Sequence, residues 1–185
     1  MRFRDLPLPE IAQLLASPFH EYRFAAVEIL VAQYEAGEEA KRQEIVDFYL
    51  SQTARINNWD LVDTSAPYIL GAHLKKRSRK ILDGLAVSPL LWERRIAIVS
   101  TLTLVKAGQL KDTFRIARKL LGDEHVLLHK AVGWALREAG RVSRAKLTEF
   151  LRKYYARIPR TALRYAIEHF PPDERKRILA GNFGG

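Results

Sequence analysis

The feature that most limits the fold of this chain is a helix-type pattern that recurs about every 35 residues. Comparable helices are predicted to begin 37, 34, 34 and 33 residues apart, near His20, Asn57, Leu91, His125 and Ile158. Most of them carry a basic residue followed by small and apolar ones, as at Arg23, Arg95, Lys130 and Arg164. A two-helix unit repeated at this interval is typical of an α-solenoid.

Apolar residues within each unit follow the spacing of a helix face. In the first unit, one helix face is formed by residues at spacings of three and four, namely Phe24, Val27, Leu30, Val31 and Tyr34. No segment alternates over several residues in the manner of a strand. Ser-Pro pairs at 17–18 and 88–89 are typical of a helix cap followed by a first-turn proline. More variable second helices are predicted between the first ones, at Glu39–Ala54, Lys75–Ala86, Leu110–Leu121 and Ser143–Tyr155.

The fold class predicted from these patterns is all-α, an α-solenoid of HEAT-like two-helix repeats with a concave basic groove. Apolar residues form 48% of the chain, enough to bury a core. We expect one domain over residues 1–180 and a frayed tail over residues 181–185. The second helices are expected to line the concave wall.

The charge of the chain is strongly positive and unevenly distributed. Lys and Arg number 31 against 21 Asp and Glu, for a net charge of +10. Residues 1–74 contain six basic and 11 acidic residues, whereas residues 75–185 contain 25 basic and ten acidic residues. This asymmetry favours a polyanionic partner on one side of the molecule.

Several classes of protein are disfavoured by the sequence. The chain has no cysteine, which excludes disulfides, thiol catalysis and cysteine-bound metal centres. His125 and His129 are four residues apart, but no third ligand is evident, so neither a metal nor a cofactor is predicted. The longest uncharged stretch, Thr64–Leu74, is too short to cross a bilayer, and no signal peptide follows Met1. We therefore expect a cytoplasmic protein.

Four unusual residues lie at comparable positions of successive units. Trp59 and Asp63 are four residues apart, which places them on one helix face. Arg95 lies 36 residues after Trp59, and Trp134 lies 39 residues after Arg95, so each step is about one repeat. Because equivalent positions of neighbouring repeats lie side by side, these four side chains are predicted to converge on one groove.

The segments around these residues resemble one known family. Asn58–Pro67, Trp92–Ile98 and Lys130–Glu138 resemble, in order and spacing, the AlkD family of DNA alkylation repair glycosylases, which are built from HEAT-like repeats. The resemblance runs from about Ser17 to about Ile167. Members usually carry a further N-terminal helical segment, and this chain is expected to begin after it.

The resemblance implies an enzyme that hydrolyses the N-glycosidic bond of cationic N3- and N7-alkylated purines in duplex DNA, without a tight base-flipping pocket. Asp63 would stabilise the cationic sugar and orient water, while Trp59 and Trp134 would pack against the deoxyribose. Arg95 would bind a phosphate, with Arg94 and Lys130 as further phosphate-binding residues. A monomer associated with the nucleoid would fit this activity.

Other interpretations of the same residues remain open. The tryptophans could belong to the core, Asp60 competes with Asp63 for the anionic role, and Arg94 competes with Arg95. The basic run Lys75–Lys80 and the later Arg and Lys residues would follow DNA phosphates or simply be solvated. Two further hypotheses are therefore a HEAT-like module that binds DNA without catalysis and a scaffold that binds an acidic partner.

Overall fold

The chain folds into helices joined by short turns. The computed structural model describes residue 3 and residues 5–184, and no strand occurs in that part of the chain. The all-α prediction is thereby confirmed. The helices are α1 (Leu8–Leu15), α2 (His20–Ala36), α3 (Glu39–Ser51), α4 (Trp59–Ser65), α5 (Ile81–Leu85), α6 (Leu91–Val99), α7 (Thr101–Lys106), α8 (Lys111–Leu120), α9 (Val126–Val142), α10 (Arg144–Tyr154), α11 (Arg160–Ala166) and α12 (Pro172–Leu179).

The first helices of successive repeats stack side by side. Helix α2 contacts α4, α4 contacts α6, α6 contacts α9, and α9 contacts α11. Two of these helices begin at the predicted residues, His20 and Leu91, and the others begin one or two residues later. The second helices pack on the first ones, as α3 does on α2 and as α8 and α10 do on α9. This arrangement creates two layers, one of first helices and one of second helices.

Three side chains show which positions of the repeats are equivalent. Arg23 donates to the carbonyl oxygen of Ser17 (2.7 Å), and Arg94 donates to that of Ser88 (2.9 Å). His129 bonds in the same way to the carbonyl oxygen of Asp123. Each acceptor lies six residues before the side chain that binds it, so positions 23, 94 and 129 are equivalent. The pattern of basic residues in the sequence aligned Arg23 with Arg95. That alignment is wrong by one residue, because Arg23 is equivalent to Arg94.

An irregular turn continues α4 and brings it close to the next repeat. Pro67 has no N–H to donate to the carbonyl of Asp63, and the backbone forms a π-turn over Pro67–Gly71. Ser100 Oγ donates to the carbonyl oxygen of Ala66 across the repeat boundary (3.3 Å). A Cβ on Gly71 would overlap the carbonyl oxygen of Ser100, so a residue without a side chain is needed there.

The second helix of this repeat is shorter than predicted. Lys75 and Lys76 do not begin a helix but form a 3₁₀ turn at the end of the preceding one. Arg77 donates to the carbonyl oxygen of His73 (2.9 Å), and Arg79 donates to those of Leu74 (3.1 Å) and Lys75 (2.9 Å). These guanidinium groups bind carbonyl groups that the helix end leaves without a backbone partner, and the next helix, α5, begins only at Ile81.

Ion pairs between Arg and carboxylate side chains join neighbouring repeats. Their partners are 29 to 33 residues apart in sequence, which is about one repeat. These pairs are Arg79–Asp112, Arg94–Asp123, Arg95–Asp63, Arg115–Asp83, Arg137–Glu168 and Arg144–Glu174. Much of the arginine excess in the second half of the chain therefore stabilises the contacts between repeats.

Between the end of α12 and Gly184 the chain is not helical, yet it contacts the last repeat. The ring of Phe183 packs edge to face on Tyr155, with the centroids 5.5 Å apart, and Arg152 donates to the carbonyl oxygen of Gly184 (3.1 Å). The predicted domain and tail also include Met1, Arg2, Arg4 and Gly185, which lie outside the described residues. Within the described part of the chain, no helix has the length and apolarity required to cross a membrane.

Candidate functional site

The four residues that the repeat spacing places together do line one groove. A depression of about 430 Å³ is bordered by residues of α4, α6, α9 and α11: Trp59, Asp63, Arg95, Leu127, Lys130, Trp134, Arg137 and Tyr165. All of these helices are first helices of their repeats. The expectation that the second helices line this wall is therefore wrong.

A bidentate ion pair lies at the centre of the groove. Arg95 Nε donates to Asp63 Oδ1 at 2.9 Å, and Arg95 Nη2 donates to Asp63 Oδ2 at 2.7 Å. The third nitrogen, Nη1, donates to the carbonyl oxygen of Leu127 at 2.6 Å. The Arg95 side chain is only 6% exposed, whereas 19% of the Asp63 side chain faces solvent. The carboxylate is thus fixed in orientation and remains accessible from the groove.

Two opposing effects act on the ionisation of Asp63. Burial raises the pKa of this carboxyl above its ordinary value, and the nearby Asp60 raises it further. The hydrogen bonds and positive charge of Arg95 lower the same pKa and offset part of the effect of burial. Without Arg95, this carboxyl would be considerably harder to ionise.

Asp60 does not belong to the groove lining. Its Oδ2 lies 2.6 Å from His20 Nε2, and its Oδ1 accepts from the backbone N–H of Leu61 at 2.8 Å. Asp60 therefore links α4 to α2 and binds a backbone N–H in the first turn of its own helix, whose N-cap is Asn58. Of the two carboxylates that compete in the sequence, the structure brings Asp63 into the groove.

The two tryptophans differ in their exposure. Trp59 is 51% exposed, so much of its indole ring is free to contact a ligand. Trp134 is half-buried and packs against the core. Trp134 and Asp63 also border a second depression of about 400 Å³, whose other walls include Tyr68, Leu102 and Val105. The pair Asp63 and Trp134 therefore separates two adjoining hollows.

The three predicted phosphate-binding residues are in different environments. Arg94 is absent from the groove lining, since it bonds to Asp123 Oδ2 (2.6 Å) and to the carbonyl oxygens of Ser88 and Pro89. Lys130 lines the groove and is exposed. Arg95 lines it too, but each of its three nitrogens already donates to a protein oxygen.

The prediction of site residues missed Arg137 and Tyr165. Arg137 lies three residues after Trp134 on the same face of α9, and it pairs with Glu138 (3.2 Å) and Glu168. Tyr165 belongs to α11, which packs so closely on α9 that a Cβ on Gly133 would overlap it. The helix-face spacing from Trp134 could have identified Arg137. The sequence contains no comparable signal for Tyr165.

No metal centre is evident in the part of the chain that the structure describes. Those residues contain no group of three His, Asp or Glu side chains that could hold a metal ion. His125 caps α9 by accepting from the N–H of Leu127 at 3.2 Å, and His129 is bonded to Asp123. The spacing of these two histidines therefore reflects helix capping and loop contacts.

The layered repeats and their groove define an α-helical repeat protein. The family model described as DNA alkylation repair enzyme matches residues 2–170, and the chain belongs to that family. Among solved structures, it is similar to a protein described as "Predicted DNA alkylation repair enzyme from Enterococcus faecalis". The TM-score is 0.68 at 15% identity, over 92% of this chain and 80% of that one, which shows a shared fold. No curated protein matches the chain in sequence.

Proposed function

We propose that this member of the family is a DNA glycosylase that hydrolyses the N-glycosidic bond of cationic N3- and N7-alkylated purines in duplex DNA. The observation that carries the proposal is the Asp63 carboxylate, bound on both oxygens by Arg95 and open to a groove lined by two tryptophans. Membership of a DNA alkylation repair family supports DNA as the substrate.

The proposed reaction requires little catalytic assistance from the protein for the departure of the purine base. Alkylation at N3 or N7 gives the purine a positive charge, so the base departs with the electrons of the glycosidic bond and needs no strong acid. The remaining barrier is the positive charge that develops on the deoxyribose. An anion fixed next to that sugar stabilises the transition state more than the ground state.

Asp63 is suited to that role. Each of its oxygens accepts one hydrogen bond from Arg95, which leaves further lone pairs directed to a sugar or to a water. A water bonded to the carboxylate loses a proton as it adds to the anomeric carbon, and the carboxylate accepts it. Burial raises the pKa of Asp63, which makes it a better proton acceptor than an ordinary aspartate.

In this proposal the tryptophans bind the sugar of the lesion. The exposed face of Trp59 offers a π surface to the cationic deoxyribose, an interaction worth about 0.5–2 kcal/mol. Trp134 borders the same groove and is more rigid than Trp59, because part of its ring packs against the core. Together they would orient the sugar relative to the carboxylate.

The geometry changes the role expected for Arg95. Its nitrogens bind Asp63 and the Leu127 carbonyl, so we assign it the orientation of the carboxylate rather than a DNA phosphate. Lys130 is exposed in the same groove and is the better candidate for a phosphate contact. Arg94 is assigned to the packing between repeats.

The test is base release from methylated duplex DNA, followed by chromatography of free 7-methylguanine and 3-methyladenine. The wild-type chain is expected to release both, and Asp63→Asn is expected to abolish release while it still binds DNA. The matched control is Asp60→Asn, which removes a carboxylate from the same helix outside the groove and should retain most of the activity.

Three results would contradict the proposal. Salt-sensitive DNA binding by a wild-type chain that releases no base would indicate a binding module without catalysis. Equal binding to DNA and to poly-glutamate, after correction for charge density, would exclude recognition of DNA and favour a protein scaffold. If Asp60→Asn were inactive and Asp63→Asn active, the anionic role would belong to Asp60.

A further inference from the structure

The first helices place five residues in one row across the repeats. The fifth residues of α2, α4, α6, α9 and α11 form what we call the groove row: Phe24, Asp63, Arg95, Lys130 and Arg164. The carbonyl bonds made by Arg23, Arg94 and His129 establish that the positions after them are equivalent. Asp63 and Arg95 touch through their ion pair, and Asp63, Arg95 and Lys130 line the groove, whereas Phe24 and Arg164 are outside its lining.

The chemistry of the row changes along its length. At one end is Phe24, an aromatic side chain that is 36% exposed. In the middle, Asp63 and Arg95 neutralise each other. At the other end, Lys130 and Arg164 are exposed, and neither forms an ion pair with any of the described residues. The cations of the row that are free to bind an anion therefore lie on one side of the reacting carboxylate.

Neighbouring acidic groups do not cancel these two cations. Glu168 lies four residues after Arg164, but its carboxylate is bound by Arg137. Glu138, which lies on the same helix as Lys130, is bound by Arg137 at 3.2 Å and lies 3.4 Å from Arg141. The surface beside Lys130 and Arg164 therefore keeps a positive charge.

We propose that the groove row binds one DNA strand asymmetrically, with Lys130 and Arg164 on successive phosphate groups to one side of the lesion and no phosphate contact on the Phe24 side. The inference rests on the proposed DNA substrate and adds Arg164 to its binding residues. Helices packed side by side are about 8–10 Å apart. Lys130 and Arg164 would therefore contact the same backbone at neighbouring, separate phosphates, while Phe24 faces a sugar or a base.

The first test is the salt dependence of binding to a duplex that contains a stable abasic-site analogue. Each lost phosphate contact reduces the slope of log K against log salt by about 1. Lys130→Gln and Arg164→Gln are each expected to reduce it by about that amount, and the double variant by about 2. Matched controls are Lys146→Gln and Arg118→Gln, two exposed cations of second helices that contribute nothing to the groove lining. Phe24→Leu should leave the slope unchanged.

The second test is the position of the analogue within a short duplex. Duplexes with the analogue near one end or near the other are expected to differ roughly tenfold in affinity, because only one of them covers Lys130 and Arg164. The double variant should bind both alike. Equal affinities for the wild type, or an unchanged slope for Arg164→Gln, would overturn the asymmetric arrangement.

These binding measurements are independent of catalysis. An Arg164-dependent slope in a chain that releases no base would refute the glycosylase and leave the groove row intact. Normal base release, together with a salt slope that does not change in Arg164→Gln, would support the glycosylase and refute the phosphate contact proposed for Arg164.

Discussion

Both carboxylate oxygens of Asp63 are bound by the single guanidinium group of Arg95, at 2.9 and 2.7 Å, across the boundary between two repeats. The same guanidinium donates to the Leu127 carbonyl of the repeat after that. Arg95 therefore joins its own first helix, α6, to the first helices on both sides of it. Its replacement should affect both the fold and the chemistry of the groove.

Arg95→Gln is expected to lower the free energy of unfolding by about 3–5 kcal/mol, because a largely buried carboxylate loses its cation. Base release should fall as well, while binding to undamaged DNA should change little, since Arg95 is assigned no phosphate. Denaturant unfolding and methylated-DNA assays on the same preparations check both effects. A large loss of DNA affinity with intact stability would return Arg95 to a phosphate-binding role.

The pH dependence of base release should report Asp63. Because burial raises its pKa, the acid limb of the activity profile should lie above the ordinary aspartate range, and activity should fall as pH decreases through that limb. Arg95 lowers this pKa, so its loss in Arg95→Gln should move the limb to higher pH. An acid limb at the ordinary value in both proteins would contradict this assignment.

Asp112 should make the stability of the fold depend on pH in the acid range. Burial opposes its ionisation, but hydrogen bonds from Arg115 and Arg79 outweigh that effect and hold its pKa below the ordinary value of 3.8. A lowered folded-state pKa gives stability that is complete above the unfolded value and is lost as pH falls through the folded one. Asp112→Asn should therefore cost about 2–4 kcal/mol at neutral pH and progressively less below pH 3.8. Urea titrations across this range measure the difference.

Arg94 and Arg23 should behave as structural residues. Each binds two backbone carbonyls in the turn before its own helix. Arg94→Gln and Arg23→Gln are each expected to cost about 1–3 kcal/mol of stability and to leave the salt dependence of DNA binding unchanged. A reduced salt slope for Arg94→Gln alone would show that it contacts a phosphate.

Replacement of Trp59 and of Trp134 should affect activity and stability to different extents. Trp59→Ala is expected to reduce base release about tenfold with little change in stability, because the ring is half exposed and its contribution is of the cation–π kind. Trp134→Ala should reduce both, with a stability loss of about 2–3 kcal/mol for a partly buried ring. Equal stability losses for the two variants would contradict the difference in exposure.

The close approach of α4 and α6 can be tested at a glycine. Gly71→Ala places a methyl group against the Ser100 carbonyl and should cost about 1–3 kcal/mol through overpacking. Gly84→Ala is the matched control, because a Cβ there meets nothing within 4 Å and replaces glycine inside a helix. We expect that control to be neutral or stabilising by up to about 1 kcal/mol.

Much of this fold could be predicted from spacing alone. The interval between repeats placed every first helix within two residues of its observed start, because the apolar positions of each unit must face the next one. The same interval brought Trp59, Asp63, Arg95 and Trp134 together. The end of the helix before Arg77 was not predictable, because it depends on side chains that bind carbonyls behind them.

The roles of the arginines were also hidden in the sequence. Arg94 and Arg95 are adjacent and chemically identical, yet one closes a turn and the other binds a carboxylate one repeat away. A helix turns by about 100° per residue, so neighbours in sequence face different surroundings. Which side chain of each helix faces the groove is established by contacts such as those of Arg23 and Arg94 with backbone carbonyls. The sequence does not show these contacts, but the structure does.

The contacts of Arg95 with α4 and with the start of α9 also determine how the groove responds to heat. A guanidinium that bonds to the repeats on both sides of its own cannot be released from one of them without loosening its bond to the other. We therefore expect the Asp63 carboxylate to have no melting transition of its own. Activity should persist up to the cooperative unfolding of the central repeats and vanish within the same few degrees.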